Sequence, residues 1–135
     1  YALDPNEPEK RQVAADLLRQ AIRIRSLILS PQSLTETYRV LTERRKLMPI
    51  AHARTFIKGL APWCTARLDS STVERAWQIE DATGYGWWDS LMVAAALQAS
   101  CRLFVSEDLQ DGVDVLGMRI VNPFTPSFAQ ALARA

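Results

Sequence analysis

The chain has 135 residues, of which 48% are hydrophobic and 23% are charged, so it has enough apolar material for one domain with a buried core. This composition excludes a disordered chain, and the presence of only five glycines and seven prolines excludes a fibrous one. Two cysteines are too few for a disulfide scaffold or a four-cysteine zinc site, and the net charge of +1 indicates no strong overall bias.

The sequence gives no sign of a membrane protein. The longest uncharged run near the end of the chain, residues 90–101, is too short to cross a bilayer. Residues 1–5 form neither a signal peptide nor an amphipathic targeting helix. We therefore expect a cytoplasmic domain that makes no contact with a membrane.

The first half of the chain predicts three helices and one short strand. Residues 10–25 have apolar side chains at helical spacing, and residues 27–29 form an apolar run typical of a buried strand. The pair Ser30-Pro31 predicts a helix start, because serine caps a helix and proline suits its first turn. That helix is expected to reach about Lys46, and a third helix to cover residues 51–60.

The second half continues the alternation of strands and helices. The predicted elements are a strand over residues 63–68, helices over 73–83 and 88–100, and strands over 103–105 and 118–121. Residues 70–72 are expected to cap the first of these helices, and Gly84 with Gly86 to end it. The second helix is apolar on nearly every side, which is typical of an interior helix.

This order of elements predicts the fold class. Strands that alternate with helices indicate an α/β fold with a mainly parallel sheet that is covered on both faces. Parallel sheets bind their ligands at the carboxyl ends of strands. Functional residues are therefore expected after Leu29 and after Val105.

Three acidic residues lie where such a sheet places ligand groups. Glu36 lies in the second turn of the helix after the first strand, although a surface pair with Arg39 is the simpler explanation. Asp89 enters the apolar helix beside two tryptophans, either as a structural cap or as a ligand for a cation. Asp108 follows the third strand, where an ordinary turn is the alternative. Together the three carboxylates predict a Mg²⁺ or Mn²⁺ site, because these cations prefer oxygen ligands.

Basic residues are concentrated in the first half of the chain. Residues 1–67 carry twelve Lys/Arg and six Asp/Glu, whereas residues 68–135 carry four and nine. The excess is strongest over residues 39–58. A solvated helical face is the simpler explanation, and contact with a phosphate backbone is the alternative. The candidates for RNA contact are Arg39, Arg44, Arg45 and Lys46.

Other chemistries have little support in the sequence. His52 is the only histidine and is expected at the surface, so nothing indicates a histidine triad or a zinc–histidine site. Cys64 and Cys101 lie in or beside apolar segments and are interpreted as buried thiols. The four tryptophans are expected mainly in the core, with a base-stacking platform as the alternative.

Four stretches of the chain carry a family resemblance. They are residues 29–36 (LSPQSLTE), 86–96 (GWWDSLMVAAA), 104–112 (FVSEDLQDG) and 119–124 (RIVNPF). In order, spacing and context they resemble a PIN domain, specifically the VapC-like toxin ribonucleases of bacterial toxin–antitoxin systems. The likeness predicts a single PIN-like domain over residues 1–124, followed by a tail over residues 125–135 that is either a short helix or a frayed end.

The resemblance implies a fold, an activity and partners. The fold is a three-layer α/β/α domain, and the activity is single-strand-specific endoribonuclease cleavage of RNA with Mg²⁺ or Mn²⁺. Glu36 and Asp89 match metal-site acids of the family, Asp108 matches the later acid, and Ser106 and Glu107 are adjacent helpers. The implied partners are a cognate antitoxin and a second copy of the chain in a homodimer.

One departure from the family pattern opens an alternative. The first acid of the family lies on an opening strand with the pattern Asp-x-Asn, which residues 4–6 match in spelling only, because the prolines around them exclude a central strand. We expect that strand and its acid about ten residues upstream of Tyr1. The alternative is a catalytically silent PIN-like module that binds RNA or a protein.

Overall fold

The computed structural model of the protein describes residues 1–128. The helices are α1 (Pro8–Arg23), α2 (Pro31–Arg39), α3 (Ile50–Leu60), α4 (Ser70–Thr83) and α5 (Trp87–Gln98), and the strands are β1 (Leu103–Val105), β2 (Asp114–Val115) and β3 (Met118–Val121). A π-helical turn, Val40–Arg44, continues α2, and a 3-10 turn, Ala61–Trp63, follows α3. The chain forms two compact units, one from residues 1–26 and the segment from Ser100 onward, the other from Leu27–Ala99.

The first unit contains a three-stranded sheet with β3 at its centre. Strand β3 pairs in parallel with β1, where Phe104 lies opposite Ile120, and antiparallel with β2. Met118, Ile120 and Val121 are buried, so β3 is the most buried strand. The predicted α/β class is confirmed, and the longer pairing is parallel as expected. Strand β2 was not predicted, because two residues are too few to show an alternating pattern.

The second unit is centred on two helices that pack against each other, α4 and α5. Ala76 and Ile79 of α4 and Val93 of α5 are fully buried. Their small and branched side chains fill the space between the helices. The interior helix predicted for residues 88–100 is therefore confirmed.

Two of the predicted strands, over residues 27–29 and 63–68, are wrong. Within the described chain these segments share two backbone hydrogen bonds, from the Leu29 N–H to the Trp63 carbonyl (2.8 Å) and from the Ala66 N–H to the Leu29 carbonyl (3.1 Å). The 3-10 turn that ends at Trp63 takes this segment out of the extended conformation, so regular pairing does not develop. The apolar pattern correctly indicated two segments that contact each other, but it did not predict their conformation.

The ends of α4 are set by residues just outside the helix. Its N-cap is Asp69 rather than the predicted residues 70–72, because the Asp69 carboxylate accepts the N–H of Thr72 while the Asp69 N–H donates to the Thr72 hydroxyl. Gly84 ends the helix as predicted. It adopts the left-handed conformation, with φ of 72°, and its N–H donates to the Glu80 carbonyl.

Several large apolar side chains are more exposed than the sequence predicts. No residue of α1 is fully buried, and Val13 on its predicted apolar face is exposed. The expectation that the tryptophans lie mainly in the core is wrong. Trp77 and Trp88 are 54% and 65% exposed, while Trp63 and Trp87 are of intermediate burial. Indole rings are too large to be enclosed easily by a small domain.

The remaining expectations from single residues have mixed outcomes. His52 is exposed, as predicted. Cys64 and Cys101 are free thiols but only of intermediate burial, which raises the pKa of Cys101. Across residues 1–128, no helix has both the length and the apolar character needed to cross a bilayer. The tail helix was considered over residues 125–135, of which residues 129–135 lie outside the described part of the chain.

Candidate active site

The position of α2 is fixed by its capping residue. The Ser30 side chain accepts the N–H of Ser33 at 3.1 Å, and Pro31 occupies the first turn, as predicted. A helix that starts here places Gln32 and Glu36 four residues apart and therefore on the same face. The second and sixth residues of α2 thus present an amide and a carboxylate side by side.

Gln32 links Glu36 to the start of α5. Its Nε2 atom donates to Glu36 Oε1 at 3.3 Å and to the Trp88 carbonyl at 3.0 Å. Both partners are acceptors, so the NH₂ end of the amide has to face them. The Glu36 carboxylate and the backbone that leads into Asp89 are therefore held around one nitrogen atom.

The other end of this amide is not satisfied by the protein. Gln32 is 8% exposed, and among the described residues its Oε1 atom has no hydrogen-bond donor. Leaving a buried acceptor unsatisfied costs about 1–3 kcal/mol. The Oε1 atom is therefore open to a donor that the described residues do not supply, such as a water molecule.

Glu36 does not pair with Arg39, although such a surface pair was the simpler explanation of this acid. In the described part of the chain, Arg39 Nε contacts Glu43 Oε2 at 3.2 Å, one turn further along. The side chain that contacts Glu36 is Gln32, and Glu36 is exposed. The predicted alternative is therefore wrong, and the carboxylate is accessible to a ligand.

Asp89 lies at the third position of α5 and is half-buried. The N-cap residue, Gly86, has no side chain that accepts from the first backbone N–H groups. These N–H groups and the helix dipole both favour a carboxylate in the first turn. The position agrees with either predicted role, a helix-stabilising acid or a ligand.

The other predicted site residues lie in the first unit, on the loop after β1. Asp108 is exposed, and its N–H donates to Ser106 Oγ at 3.2 Å. Glu107 accepts from the Lys10 ammonium at 2.7 Å. Partial burial raises the pKa of Glu107, but hydrogen bonds from Lys10 and from the Tyr1 hydroxyl outweigh this effect and hold the pKa below its usual range. Ser106 and Glu107 thus have local partners, whereas the Asp108 side chain is open to solvent.

The chemistry of the second unit suits a hard divalent cation. Glu36 and Asp89 offer carboxylate oxygens, and Gln32 Oε1 offers an acceptor for a coordinated water molecule. Within residues 1–128, no group of three or more His, Cys, Asp or Glu side chains lies close enough together to hold a metal ion. A cation held by these two carboxylates would have to retain several water ligands, as Mg²⁺ commonly does.

A groove of about 480 Å³ lies beside Glu36, and its lining includes Gln32, Glu36, Arg39, Arg44 and Trp88. Arg39 and Arg44 are five residues apart, and a regular α-helix would place them about 140° apart. The π-helical turn changes this spacing, because it is closed by a bond from the Arg45 N–H to the Val40 carbonyl (3.0 Å), five residues back. Both guanidinium groups consequently line the groove. Of the other predicted RNA contacts, Arg45 and Lys46 are exposed but are not part of this lining.

Two residues of this site escaped the sequence interpretation. The role of Gln32 was missed, although its position four residues before Glu36 is a signal for contact along a helix. Trp88 was not singled out, because the four tryptophans were expected mainly in the core, with a base-stacking platform as the alternative. Its place directly before Asp89 is the signal that relates it to the acids.

The second unit thus combines the Glu36 carboxylate with a groove that two arginines line. Residues 1–110 match the family model of the PIN domain, so the chain belongs to the PIN-domain family. PIN domains are generally nucleases that bind divalent metal ions, and the function of this chain is therefore of the nuclease type. A comparison with curated proteins finds no match.

Proposed function

We propose that this protein is a metal-dependent endoribonuclease that cleaves single-stranded RNA and acts as the toxin of a toxin–antitoxin pair. The observation that carries the proposal is the double contact of Gln32 with Glu36 and with the backbone before Asp89, beside an unsatisfied acceptor. Membership of the PIN family supports nuclease chemistry. The resemblance of residues 86–96 and 104–112 to VapC-like toxins supports the narrower role.

In this proposal Glu36, Asp89 and Asp108 are the catalytic acids and would hold Mg²⁺ or Mn²⁺. A cation bound there would neutralise charge on the scissile phosphate and lower the pKa of a coordinated water molecule. Gln32 keeps the Glu36 carboxylate in one orientation, and its Oε1 accepts a hydrogen bond from water in the site. Residues that orient such carboxylates affect metal affinity and activity, as the ligands themselves do.

The RNA backbone is proposed to follow the basic side of the groove. Arg39 and Arg44 line the groove and would contact phosphate groups, with Arg45 and Lys46 available for further phosphates. Contacts of this kind position a nucleic acid and contribute affinity that falls with salt. They do not select a sequence.

The toxin role further implies a cognate antitoxin and a homodimer. The acidic balance of residues 68–135 is compatible with an antitoxin segment that carries basic side chains. Expression of the chain with and without the antitoxin encoded beside its gene tests this part, with growth arrest expected only without it. Equal growth in both cultures, with the protein present, contradicts the toxin role.

The catalytic proposal predicts the effect of Asp89→Asn. This change removes one anionic ligand while keeping the size of the side chain. Cleavage of an unstructured RNA in Mn²⁺ should therefore fall by about 100-fold or more, a larger loss than is typical of residues that only orient a metal ligand. Thermal unfolding should show that the fold is retained. Excess chelator should abolish cleavage by the unmodified protein, and added Mn²⁺ should restore it.

Asp81→Asn is the matched control, because Asp81 is an exposed acid on α4 outside the groove. It should cleave RNA at the rate of the unmodified protein. Full activity of Asp89→Asn, or undiminished activity in chelator, contradicts the assignment. RNA binding with a steep salt dependence but no cleavage would instead support the silent binding module.

A further inference from the structure

We infer that Trp88 is a stacking platform for one unpaired base of the RNA, and that it sets the position of the strand relative to Glu36. This inference rests on the proposed function and deepens it, because it assigns a substrate-binding role to a residue outside the acidic set. Its starting observation is exposure: Trp88 is 65% exposed, more than any other large apolar side chain described between residues 1 and 128.

Exposure alone does not make a binding site, as Trp77 shows. Trp77 is also more than half exposed, but it lies on α4 and does not line the groove. Trp88 differs in its surroundings. Its backbone carbonyl is held by Gln32, whose same nitrogen atom also holds Glu36. The indole is therefore carried by a backbone position fixed to the proposed catalytic acid.

The charges around the groove favour an anionic chain as its occupant. Arg39 and Arg44 line the same groove, and Glu36 is its acidic member. The ion pair of Arg39 with Glu43 is exposed at both ends, so it offers little resistance to a phosphate group. A basic peptide would meet two guanidinium groups here, whereas a nucleic acid would meet them with its phosphates.

The combination of an aromatic ring with cations points to single-stranded rather than double-stranded RNA. A base can stack on an aromatic side chain only when it is free of its own pairing partner. Stacking of this kind tolerates any base, because every base has a π-face. A ring in the same groove as Glu36 would thus define which phosphodiester bond reaches that carboxylate without requiring a particular sequence.

The experiment measures binding of a labelled unstructured RNA of about 12 nucleotides by fluorescence anisotropy in chelator, so that cleavage does not interfere. Loss of one stacked base weakens binding by about 5- to 140-fold, and Trp88→Leu should fall in this range. Trp88→Phe keeps an aromatic face and should retain most of the affinity. Trp77→Leu is the matched control and should bind as the unmodified protein does.

A second measurement separates stacking from a structural effect. RNA should quench the tryptophan fluorescence of the unmodified protein and of Trp77→Phe, but should quench Trp88→Phe much less. Circular dichroism should show equal folding in all variants, because the indole at position 88 is mostly exposed.

The outcomes are distinguishable. If the unmodified protein binds or cleaves RNA while Trp88→Leu binds equally well, the stacking role is wrong and the proposed function stands. If the unmodified protein neither binds nor cleaves RNA with Mg²⁺ or Mn²⁺ present, the proposed function fails, and the stacking role fails with it. If Trp88→Leu loses only the binding of an antitoxin, the groove is a protein-docking site and the inference is overturned.

Discussion

Gln32 is nearly enclosed, yet its amide donates two hydrogen bonds and, among the described residues, accepts none. One bond orients the Glu36 carboxylate, and the other ties α2 to the first turn of α5. A buried amide oxygen without a donor costs about 1–3 kcal/mol, and a water molecule that donates to it would remove that cost. The side chain is therefore best understood as a positioning residue for a hydrated site.

This role predicts the effect of Gln32→Ala. Without the amide, Glu36 loses its fixed orientation, so cleavage and Mn²⁺ affinity should each fall by about 10- to 100-fold. Calorimetric titration with Mn²⁺ and a cleavage assay measure the two effects. Gln12→Ala is the control, because the Gln12 amide contacts Asp16 on the exposed face of α1 and should matter to neither. Unaltered metal affinity and activity in Gln32→Ala would show that the orientation of Glu36 is set by other groups.

The sequence is sufficient to propose Glu36 and Asp89 as candidate acids, but it does not show the hydrogen bonds by which Gln32 contacts Glu36 and the start of α5. Glu36 and Asp89 follow from the order of elements and from the cost of an isolated charge in an apolar helix. The partner of Gln32 is the carbonyl of Trp88, 56 residues away. A contact between such distant positions depends on how two helices pack, and no local pattern records it.

At the scale of elements, helix ends depend on backbone conformation more than on contacts, and Gly84 illustrates this. It ends α4 in the left-handed conformation, and a methyl group added there would meet nothing within 4 Å. Any cost of a substitution is therefore conformational. Gly59, inside α3, is equally uncrowded but has no positive φ. The two glycines form a matched pair.

Gly84→Ala should lower the free energy of unfolding by about 1–2 kcal/mol, because a side chain disfavours the left-handed region. Gly59→Ala should raise it by about 0.5–1 kcal/mol, because alanine is the better helix former. Denaturant unfolding measures both. Gly84→Asn, which tolerates this conformation better, should recover part of the loss. A change of the same sign in both alanine variants would contradict the conformational explanation.

The helices could be predicted closely, and two of the strands could not. Ser30 marks a helix end through a side-chain bond to a nearby backbone N–H, and Pro31 and Gly84 mark helix ends through their backbone conformations. These are local properties of single residues, so a sequence displays them directly. Residues 27–29 have the composition of a strand, but a strand also needs a partner of matching conformation. The segment that meets them leaves a 3-10 turn at Trp63, so only Leu29 forms backbone bonds with it.

On the scale of the whole molecule, the first unit is closed by contacts between the beginning of the chain and its later part. The Lys10 ammonium contacts Glu107 and lies 4.6 Å from the Tyr1 ring centre and 5.2 Å from that of Phe124. The two rings meet edge to face at 5.3 Å. The ion pair with Glu107 and the cation–π contact with Phe124 thus hold α1 to the later part of the chain, whereas the contact with Tyr1 is local.

This cluster predicts a pH-dependent contribution to stability. Because the pKa of Glu107 is lowered in the folded state, its contribution to the free energy of unfolding is fully present above the ordinary pKa of 4.5. This contribution is lost as the pH falls through the lower pKa of the folded state. The raised pKa of Lys10 means that the pair persists above 10.5 and is lost only as the pH rises further. The ion pair of Lys10 with Glu107 therefore stabilises the fold from weakly acidic to strongly basic pH.

Glu107→Gln should accordingly lower the melting temperature by a few degrees at neutral pH. The difference should shrink as the pH falls further below 4.5, because Glu107 then takes up a proton and becomes neutral, as glutamine is at every pH. Thermal unfolding at several pH values measures it. Glu43→Gln is the control, because its pair with Arg39 is exposed at both ends and should contribute little. A difference for Glu107→Gln that is the same at every pH would mean that packing, not charge, holds the cluster.

The π-helical turn after α2 also bears on how this chain can vary in length. Adding or removing one residue in an α-helix rotates everything beyond it by about 100°. A π-turn holds one residue more than an α-turn, so a residue can be deleted between Val40 and Arg44 by a return to α-helical winding. Relatives that differ by a one-residue gap at this point can then keep Glu36 on one side and α3 on the other in the same register. A one-residue gap at this point would reflect a change from π-helical to α-helical winding, and the residues on either side of it would still occupy corresponding positions.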